Sequence, residues 1–124
     1  KSIEWSHKKG AQLVNSSVVY TEGTHKLDML TGDTCLMSLA GNLASRKGML
    51  IINSAGNEGN TGWKMIAFPG DADSVLTVGA IDSKLGVRTD YSSYGPSKRL
   101  SVKPNVTAVG NVFWYSDKRC FLRV

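Results

Sequence analysis

Residues 48–59 read GMLIINSAGNEG, and this stretch decides the fold class of the protein. Its apolar run, residues 49–53, follows a glycine and shows no alternation, which is typical of a strand buried on both faces of a parallel sheet. Residues 75–81, VLTVGAI, form a second run of this kind. Because parallel strands need crossover connections, which are usually helical, the two runs predict an α/β fold.

A helix is predicted immediately before this stretch. Its apolar residues recur at three- and four-residue steps: Leu36, Leu39, Ala40 and Leu43. Asp33 or Thr34 is the expected N-cap, and Gly48 ends the helix after two basic residues that suit its C-terminal end. Residues 11–17 supply a further strand, preceded by a helix-compatible segment that Gly10 ends. We therefore expect a parallel sheet with flanking helices, built on a right-handed βαβ unit.

The composition is that of an ordinary globular protein. The 124 residues are 41% hydrophobic and 20% charged, which allows one core and at most one domain. The net charge of +5 comes from basic doublets scattered along the chain, so no nucleic-acid partner is predicted. No apolar run reaches the roughly 18 residues that a membrane span needs. Cys35 and Cys120 match neither metal-binding CxxC spacing nor a disulfide framework, and both are expected to be buried or incidental.

Two polar segments follow predicted strands, at the edge of the sheet where parallel α/β proteins bind ligands. They are residues 15–17, Asn-Ser-Ser, and residues 54–60, Ser-Ala-Gly-Asn-Glu-Gly-Asn. Gly56 and Gly59 allow the backbone to bend sharply, which leaves Asn57 at the rim of a rigid sheet. An asparagine amide donates hydrogen bonds without titrating, as the stabilisation of a developing oxyanion requires. Taken alone, however, the segment is better explained as an ordinary glycine-rich turn.

Four further motifs accompany this segment along the chain. They are Phe68-Pro69, residues 73–80 (DSVLTVGA), residues 91–96 (YSSYGP) and Lys103-Pro104. In order and spacing, the five motifs closely resemble the subtilase family of serine endopeptidases, and the resemblance covers residues 5–110. Each motif is weak evidence by itself, whereas five in the correct order are strong evidence.

The resemblance implies a partial subtilisin-like three-layer fold and roles for several residues. Asn57 would be the side-chain donor of the oxyanion hole, which stabilises the transition state of peptide-bond hydrolysis. The pocket for the substrate residue before the scissile bond would have two walls: Ser54, Ala55 and Gly56 on one side, and Ser17, Val18 and Val19 on the other. Pro69 would lie beside this pocket, with the Phe68–Pro69 bond in the cis form. A peptide or protein substrate would bind as an added strand, mainly through backbone hydrogen bonds.

The sequence departs from the subtilase pattern in two respects. Val19 stands where the family usually has glycine, and its β-branched side chain would narrow the pocket or obstruct the bound strand. The catalytic triad of the family runs in the order Asp, His, Ser, and none of the three has a candidate in this chain. His7 and His25 lack the glycine-flanked, threonine-followed setting of the family's histidine, and no Gly-Thr-Ser is present. With an oxyanion donor and no nucleophile, the chain alone is expected to show no proteolysis.

Residues 1–110 are therefore interpreted as the central part of a subtilase catalytic domain, an internal fragment of a longer protease. Residues 111–124 are interpreted as a divergent or truncated tail. No cofactor is expected for this chain, although calcium remains open for the parent protein, which is expected to be secreted, periplasmic or associated with the cell envelope. The uncovered surfaces of such a fragment predict marginal stability or self-association.

Two alternative functions are compatible with parts of the pattern. The first is a nucleotide-binding domain with a phosphate loop at residues 56–62, but neither GxGxxG nor GxxxxGK[ST] is present. The second is a decayed, non-catalytic subtilase fold that retains peptide binding. Val19 and the missing triad favour this second alternative over an active enzyme for this chain.

Overall fold

The computed structural model describes residues 1–21, 27–97 and 101–111. Within these ranges, two α-helices, α1 (Ser2–Lys8) and α2 (Leu36–Arg46), and a short 3-10 helix (Leu27–Met29) accompany four strands. The strands are β1 (Leu13–Ser16), β2 (Leu50–Ser54), β3 (Leu76–Ile81) and β4 (Val106–Val109). They form one parallel sheet in the order β1-β2-β3-β4, which confirms the predicted α/β class with a parallel sheet and flanking helices.

The register of the sheet brings the predicted polar segments to the same edge. Ser16, the last residue of β1, pairs with Asn53 near the end of β2. Because the strands are parallel, residues 15–17 and 54–60 leave the sheet side by side. α2 connects β1 to β2 and forms a βαβ unit with them. The runs at residues 49–53 and 75–81 do not form the predicted unit, because residues 55–75 connect β2 to β3 without a helix.

Both helices lie against one face of the sheet. The core on this face consists of Ala44, Met49, Ile51, Ala72 and Val75, with Ile3, Ala11 and Val14 packed against it. Gly41 lets α2 approach closely, because a Cβ at this position would lie 2.7 Å from Cγ2 of Val75. Each large aliphatic side chain that is fully buried here contributes about 1.5–3 kcal/mol to the stability of the fold, so this core stabilises the packing of the helices on the sheet.

The opposite face of the sheet is not covered by any element within the described ranges, and we call it the bare face. Its exposed and half-buried apolar side chains are Leu13, Leu50, Ile52, Leu76, Val78, Ala80, Val106 and Ala108. β2 is buried through Ile51 and Asn53 only. The prediction that residues 49–53 are buried on both faces is therefore wrong for the described part of the chain, in which helices cover one face of the sheet.

The helix predicted from the leucine spacing is present, but its apolar stripe faces away from the sheet. Leu36, Leu39 and Leu43 are 80%, 46% and 56% exposed. The buried residues of α2 are Ser38, Gly41, Asn42 and Ala44. The packed side of α2 thus consists of small and polar residues, which allow the helix to approach the sheet and the neighbouring loops closely.

The N-cap of α2 lies one residue later than the latest predicted position, Thr34. The N-cap is Cys35, whose side chain makes no capping hydrogen bond. The carboxylate of Asp33 accepts a hydrogen bond from the hydroxyl of Thr31 (2.9 Å), and the hydroxyls of Thr31 and Thr34 are hydrogen-bonded to each other. The prediction of Asp33 or Thr34 as the cap is wrong because both side chains are engaged in the turn that precedes the helix.

Both α-helices end where glycines predicted their ends. α2 ends at Arg46, and Gly48 follows with φ of +87°. α1 ends at Lys8, and Gly10 follows with φ of +84°. Residues with a Cβ rarely adopt this left-handed conformation, so glycine at these positions gives the chain its exit from each helix.

Cys35 is a buried free thiol beside Leu30 and Phe68, as predicted, whereas Cys120 lies outside the described residues. None of the helices in the described ranges combines the length and the apolar character that crossing a bilayer demands.

Candidate functional site

A cleft of about 600 Å³ opens at the carboxyl ends of the strands, on the bare side of the sheet. Four residues of the predicted site line it, namely Ser17, Ser54, Gly56 and Asn57, together with Asn15 and Ser16 of the first polar segment. Most of the apolar lining belongs to the bare face and comprises Ile52, Val78, Ala80 and Ala108, and Val109 adds to it. The two polar segments that follow β1 and β2 therefore border one shared cavity.

The wall formed by residues 54–56 is fixed by backbone hydrogen bonds on both sides. The N–H of Ala55 donates to the carbonyl of Val78 in β3, and its carbonyl accepts from the N–H of Ala67, each at 2.9 Å. Gly56 has φ of +107°, and a Cβ there would lie 2.8 Å from Oγ of Ser93. A glycine is therefore required at this point both by the backbone conformation and by the close packing.

The opposite wall, residues 17–19, is attached to the same neighbouring segment. Tyr20 exchanges two backbone hydrogen bonds with Phe68, of 3.0 and 3.1 Å, directly after this wall. The side-chain amide of Asn53 donates to the carbonyl of Val18 at 3.4 Å. Val18 is exposed and Val19 is half-buried. Ala67 pairs with Ala55 of one wall, and Phe68 pairs with Tyr20, the residue that follows the other wall, so the chain segment 67–68 connects the two sides of the site.

Phe68 anchors this arrangement in a second apolar cluster. It is fully buried together with Leu30 and Cys35, and the ring of Trp63 meets it edge-on with 6.2 Å between ring centroids. The Phe68–Pro69 peptide bond is cis, as the resemblance implied, and Pro69 is half-buried. Four predicted site residues do not line the cleft itself: the wall residues Val18, Val19 and Ala55, and Pro69.

Asn57 is exposed at the rim of the cleft, and its loop is held on both sides by the segment 91–93. The N–H of Ser93 donates to the carbonyl of Gly56 at 3.0 Å, and the N–H of Glu58 donates to Oγ of Ser93 at 3.0 Å. Local sequence patterns do not predict this contact, because 35 residues separate Ser93 from Glu58. The YSSYGP motif itself was the available signal, although it indicates only the family.

The described part of the cleft has little acid–base chemistry of its own. Tyr91 is the sole ionisable residue among those that line it. His7 is exposed in α1, away from the cleft, and His25 lies outside the described residues. Chemistry that needs a proton acceptor near neutral pH would therefore require a group from beyond these lining residues.

Two buried charges lie on the covered side of the sheet rather than in the cleft. Burial raises the pKa of Asp71 above its ordinary value, against the opposing effect of hydrogen bonds from Ser38 and Gly32. Burial also lowers the pKa of Lys103, against the attraction of Asp71 and Asp73. In the residues that the structure describes, no group of three or more His, Cys, Asp or Glu side chains is placed to share a metal ion.

The sequence profile of the subtilase family, peptidase family S8, matches residues 1–121. The match includes part of the segment 111–124, and the boundary at residue 110 stays a prediction. A thermostable alkaline protease of Halalkalibacterium halodurans is 32% identical over 114 residues, which are 90% of this chain and 28% of that protein. Subtilisin DY of Bacillus licheniformis is 34% identical over 94 residues, which are 75% of this chain and 30% of that protein.

Among solved structures, the prenylagaramide maturation protease PagA superposes with a TM-score of 0.65 at 24% identity, over 87% of this chain and 34% of that chain. This likeness shows a shared fold. The chain spans less than a third of the length of the curated relatives named above. The profile match over nearly all of its residues places it among them: the chain belongs to the subtilase family of serine proteases, peptidase family S8.

Proposed function

We propose that this chain supplies the peptide-binding walls and the oxyanion donor of a subtilisin-like serine endopeptidase. The observation that carries the proposal is the position of Asn57, exposed at the rim of the cleft with its neighbouring peptide groups held by hydrogen bonds. Its amide would donate to the carbonyl oxygen of the scissile bond as negative charge develops there. A donor that is fixed before the substrate arrives needs little reorganisation in the transition state.

The substrate would be an extended peptide lying between the two walls. Residues 17–19 would border it on one side and residues 54–56 on the other, so that its backbone adds to the protein as a strand. The support for this mode is that Ala55 of one wall, and Tyr20 directly after the other wall, pair through their backbones with the consecutive residues Ala67 and Phe68. Such a frame recognises the substrate backbone and leaves the choice of side chain to the pocket.

The catalytic Asp, His and Ser are proposed to lie outside these 124 residues. The support is chemical, because Tyr91 is the sole ionisable residue lining the described cleft, and the sequence has no Gly-Thr-Ser. Nucleophile, base and orienting carboxylate act as a unit in this mechanism. Residues 1–124 alone are accordingly expected to be inactive.

The proposed role of Asn57 is tested by Asn57→Ala in the protein encoded by the complete gene, with steady-state hydrolysis of a fluorogenic peptide as the measurement. Turnover should fall by roughly 10²–10³ while KM changes little; this scale is taken from subtilisin, a member of the same family, in which the corresponding donor was removed. Asn60→Ala, at an exposed asparagine of the same loop, is the matched control. Turnover within tenfold of the unsubstituted enzyme would contradict the proposal.

The inactivity of the 124-residue chain is tested separately with a fluorophosphonate probe. The chain should remain unlabelled, whereas the product of the complete gene should be labelled if an in-frame Gly-Thr-Ser follows Val124 in the coding DNA. Labelling of the 124-residue chain itself would show that the chain carries its own nucleophile, and would contradict the proposal.

A decayed, non-catalytic peptide-binding module is the second candidate function. Val19, half-buried in one wall, and the absence of Gly-Thr-Ser from the 124 residues favour it. This function predicts that no reading frame beyond Val124 encodes Gly-Thr-Ser, and that the chain binds peptides equally well with and without Asn57→Ala. Calorimetric titration of the two proteins with the same peptide separates the candidates.

A further inference from the structure

The loop that presents Asn57, residues 56–59, has no helix or strand of its own to hold its shape. An oxyanion donor must nevertheless keep its position to within a fraction of an ångström, because a small misplacement costs much of its effect. The residues that fix this loop therefore matter as much as the donor itself.

One residue holds both peptide groups that flank Asn57. The carbonyl of Gly56, which belongs to the peptide group before Asn57, accepts from the N–H of Ser93 at 3.0 Å. The N–H of Glu58, which belongs to the peptide group after Asn57, donates to Oγ of Ser93 at 3.0 Å. Since the orientations of these two peptide planes set φ and ψ of Asn57, Ser93 fixes the direction in which the amide side chain leaves the backbone.

Water cannot readily take the place of the Ser93 hydroxyl. Ser93 is completely buried. Its Oγ would lie 2.8 Å from a Cβ added to Gly56, which shows how closely the loop packs against it. A buried N–H that loses its hydrogen-bond acceptor costs about 1–3 kcal/mol. Without the Ser93 hydroxyl, the Glu58 peptide group is therefore expected to reorient toward another acceptor.

Ser93 is in turn fixed to the sheet through the residue before it. The N–H of Ala80 in β3 donates to Oγ of Ser92 at 2.9 Å. The guanidinium of Arg88 donates to the carbonyl of Ser92 at 2.7 Å. The N–H of Gly59 closes the loop by donating to the carbonyl of Tyr91 at 2.8 Å. The loop is thereby connected to β3 through two consecutive serines: Ser93 binds the loop, and Ser92 binds the strand.

We propose that Ser93 is a positioning residue for Asn57, acting through the peptide group of Glu58. This inference rests on the proposed function of Asn57 as oxyanion donor. Ser93 does not contact the substrate; its hydroxyl keeps the donor aimed at the position that the oxyanion would occupy. Loss of the hydroxyl should reduce turnover without weakening substrate binding.

The kinetic test uses the protein encoded by the complete gene. Ser93→Ala should lower kcat by roughly tenfold to 10²-fold at nearly constant KM, the scale of a small misplacement. Ser93→Thr and Ser93→Val form a matched pair, because both add a methyl group and only the threonine keeps the hydroxyl, so kcat should be higher in Ser93→Thr. Ser92→Ala, which removes an equally buried hydroxyl bound to β3, should change kcat by less than Ser93→Ala.

A double substitution separates positioning from general stability. In an Asn57→Ala background, Ser93→Ala should have no further effect on kcat, because the donor that it orients is already gone. An additive loss, or an equal kcat for Ser93→Thr and Ser93→Val, would overturn the proposal.

A structural measurement keeps the test independent of catalysis. In the ¹⁵N-labelled protein encoded by the complete gene, Ser93→Ala should move the amide proton of Glu58 upfield and lower the backbone order parameter of Asn57 toward the flexible range, below about 0.6. If these changes occur while Asn57→Ala leaves kcat unaffected, the proposed function fails and the positioning contact stands. An unchanged Glu58 resonance would overturn the positioning role itself.

Discussion

Val19 is half-buried in the wall segment 17–19, whose first residue, Ser17, lines the cleft. The next residue, Tyr20, is tied to Phe68 by backbone hydrogen bonds of 3.0 and 3.1 Å. Phe68 is fully buried, so this pairing attaches the residue after the wall to the core. A β-branched side chain at a position where subtilases usually have glycine should therefore restrict the substrate side chain.

Val19→Gly is expected to widen the pocket. The KM of the complete gene product for peptides with a large aromatic residue before the scissile bond should fall by roughly tenfold, within the range of about 1–3 kcal/mol by which apolar pockets discriminate. Val18→Gly is the matched control, since it carries a similar backbone cost of about 0.5–1 kcal/mol at an exposed neighbour. A KM that is unchanged, or that falls equally for small and large side chains, would show that Val19 does not limit the pocket.

At the scale of elements, α2 is joined to the rest of the fold through buried polar groups. The carboxylate of Asp71 accepts hydrogen bonds from Oγ of Ser38 in α2 (2.6 Å) and from the N–H of Gly32 (2.9 Å). The side chain of Asn42, also in α2, donates to the carbonyl of Gly32 and accepts from the N–H of Ser74, at 2.8 and 2.9 Å. These contacts explain why the side of α2 that faces the protein is small and polar.

The Lys103 ammonium, just before β4, completes this buried region. It donates to the carbonyls of Ala72 (2.8 Å) and Val75 (2.7 Å) and to side-chain oxygens of Thr77 and Asn105, both at 3.1 Å. Its hydrogen bonds close the turn that leads into β3. Burial is nevertheless the dominant influence on both charges, since it raises the pKa of Asp71 and lowers the pKa of Lys103.

The two buried charges predict a specific dependence of stability on pH. For Asp71, the folded pKa exceeds the ordinary value of 3.8, so the folded state binds more protons in this window and stability should fall as pH rises through it. Asp71→Asn should remove that slope, measured by urea unfolding at a series of pH values. Asp28→Asn, at an exposed carboxylate, is the control. An identical slope in the Asp71→Asn variant would contradict the assignment.

At alkaline pH, Lys103 should make the stability depend on pH in the opposite sense. The pKa of Lys103 in the folded state lies below its ordinary value of 10.5, so the unfolded state binds more protons between the two values. The contribution of this group to stability should therefore rise with pH across the window. Lys103→Met should remove the rise in the same unfolding experiment.

At the scale of the whole molecule, two apolar surfaces lack a covering element within the described residues. On the bare face, Leu13 and Leu50 are neighbours in register and are 52% and 47% exposed. On α2, the stripe of Leu36, Leu39 and Leu43 points outward. Both β1 and β4 are edges of the described sheet. Exposed apolar patches and unpaired strand edges together favour association with other chains.

The isolated 124-residue chain is therefore expected to self-associate or to be marginally stable. In sedimentation velocity, the fraction of oligomer should increase with concentration, and the double substitution Leu13→Lys with Leu50→Lys should shift the chain toward monomer. Leu85→Lys, at a leucine that is 73% exposed in a turn away from the bare face, is the matched control. A concentration-independent monomer that melts cooperatively would show that these surfaces do not drive association.

Much of this architecture could be predicted from local patterns. The runs at residues 49–53 and 75–81 predicted two strands, the leucine spacing predicted α2, and Gly10 and Gly48 predicted where the helices end. These features depend on neighbouring residues, whose spacing and backbone preferences are visible in the chain itself. The order of the five motifs also identified the family, and it placed Asn57 after β2.

The sequence by itself thus determined the α/β class, the family and the loop that carries the candidate oxyanion donor. Only the tertiary structure decided which side of α2 is buried, that β2 is covered on one face within the described residues, and that Ser93 holds both peptide groups beside Asn57. The physical reason is distance along the chain: Ser38 meets Asp71 across 33 residues and Glu58 meets Ser93 across 35. Contacts of this length arise from packing, which no local periodicity encodes.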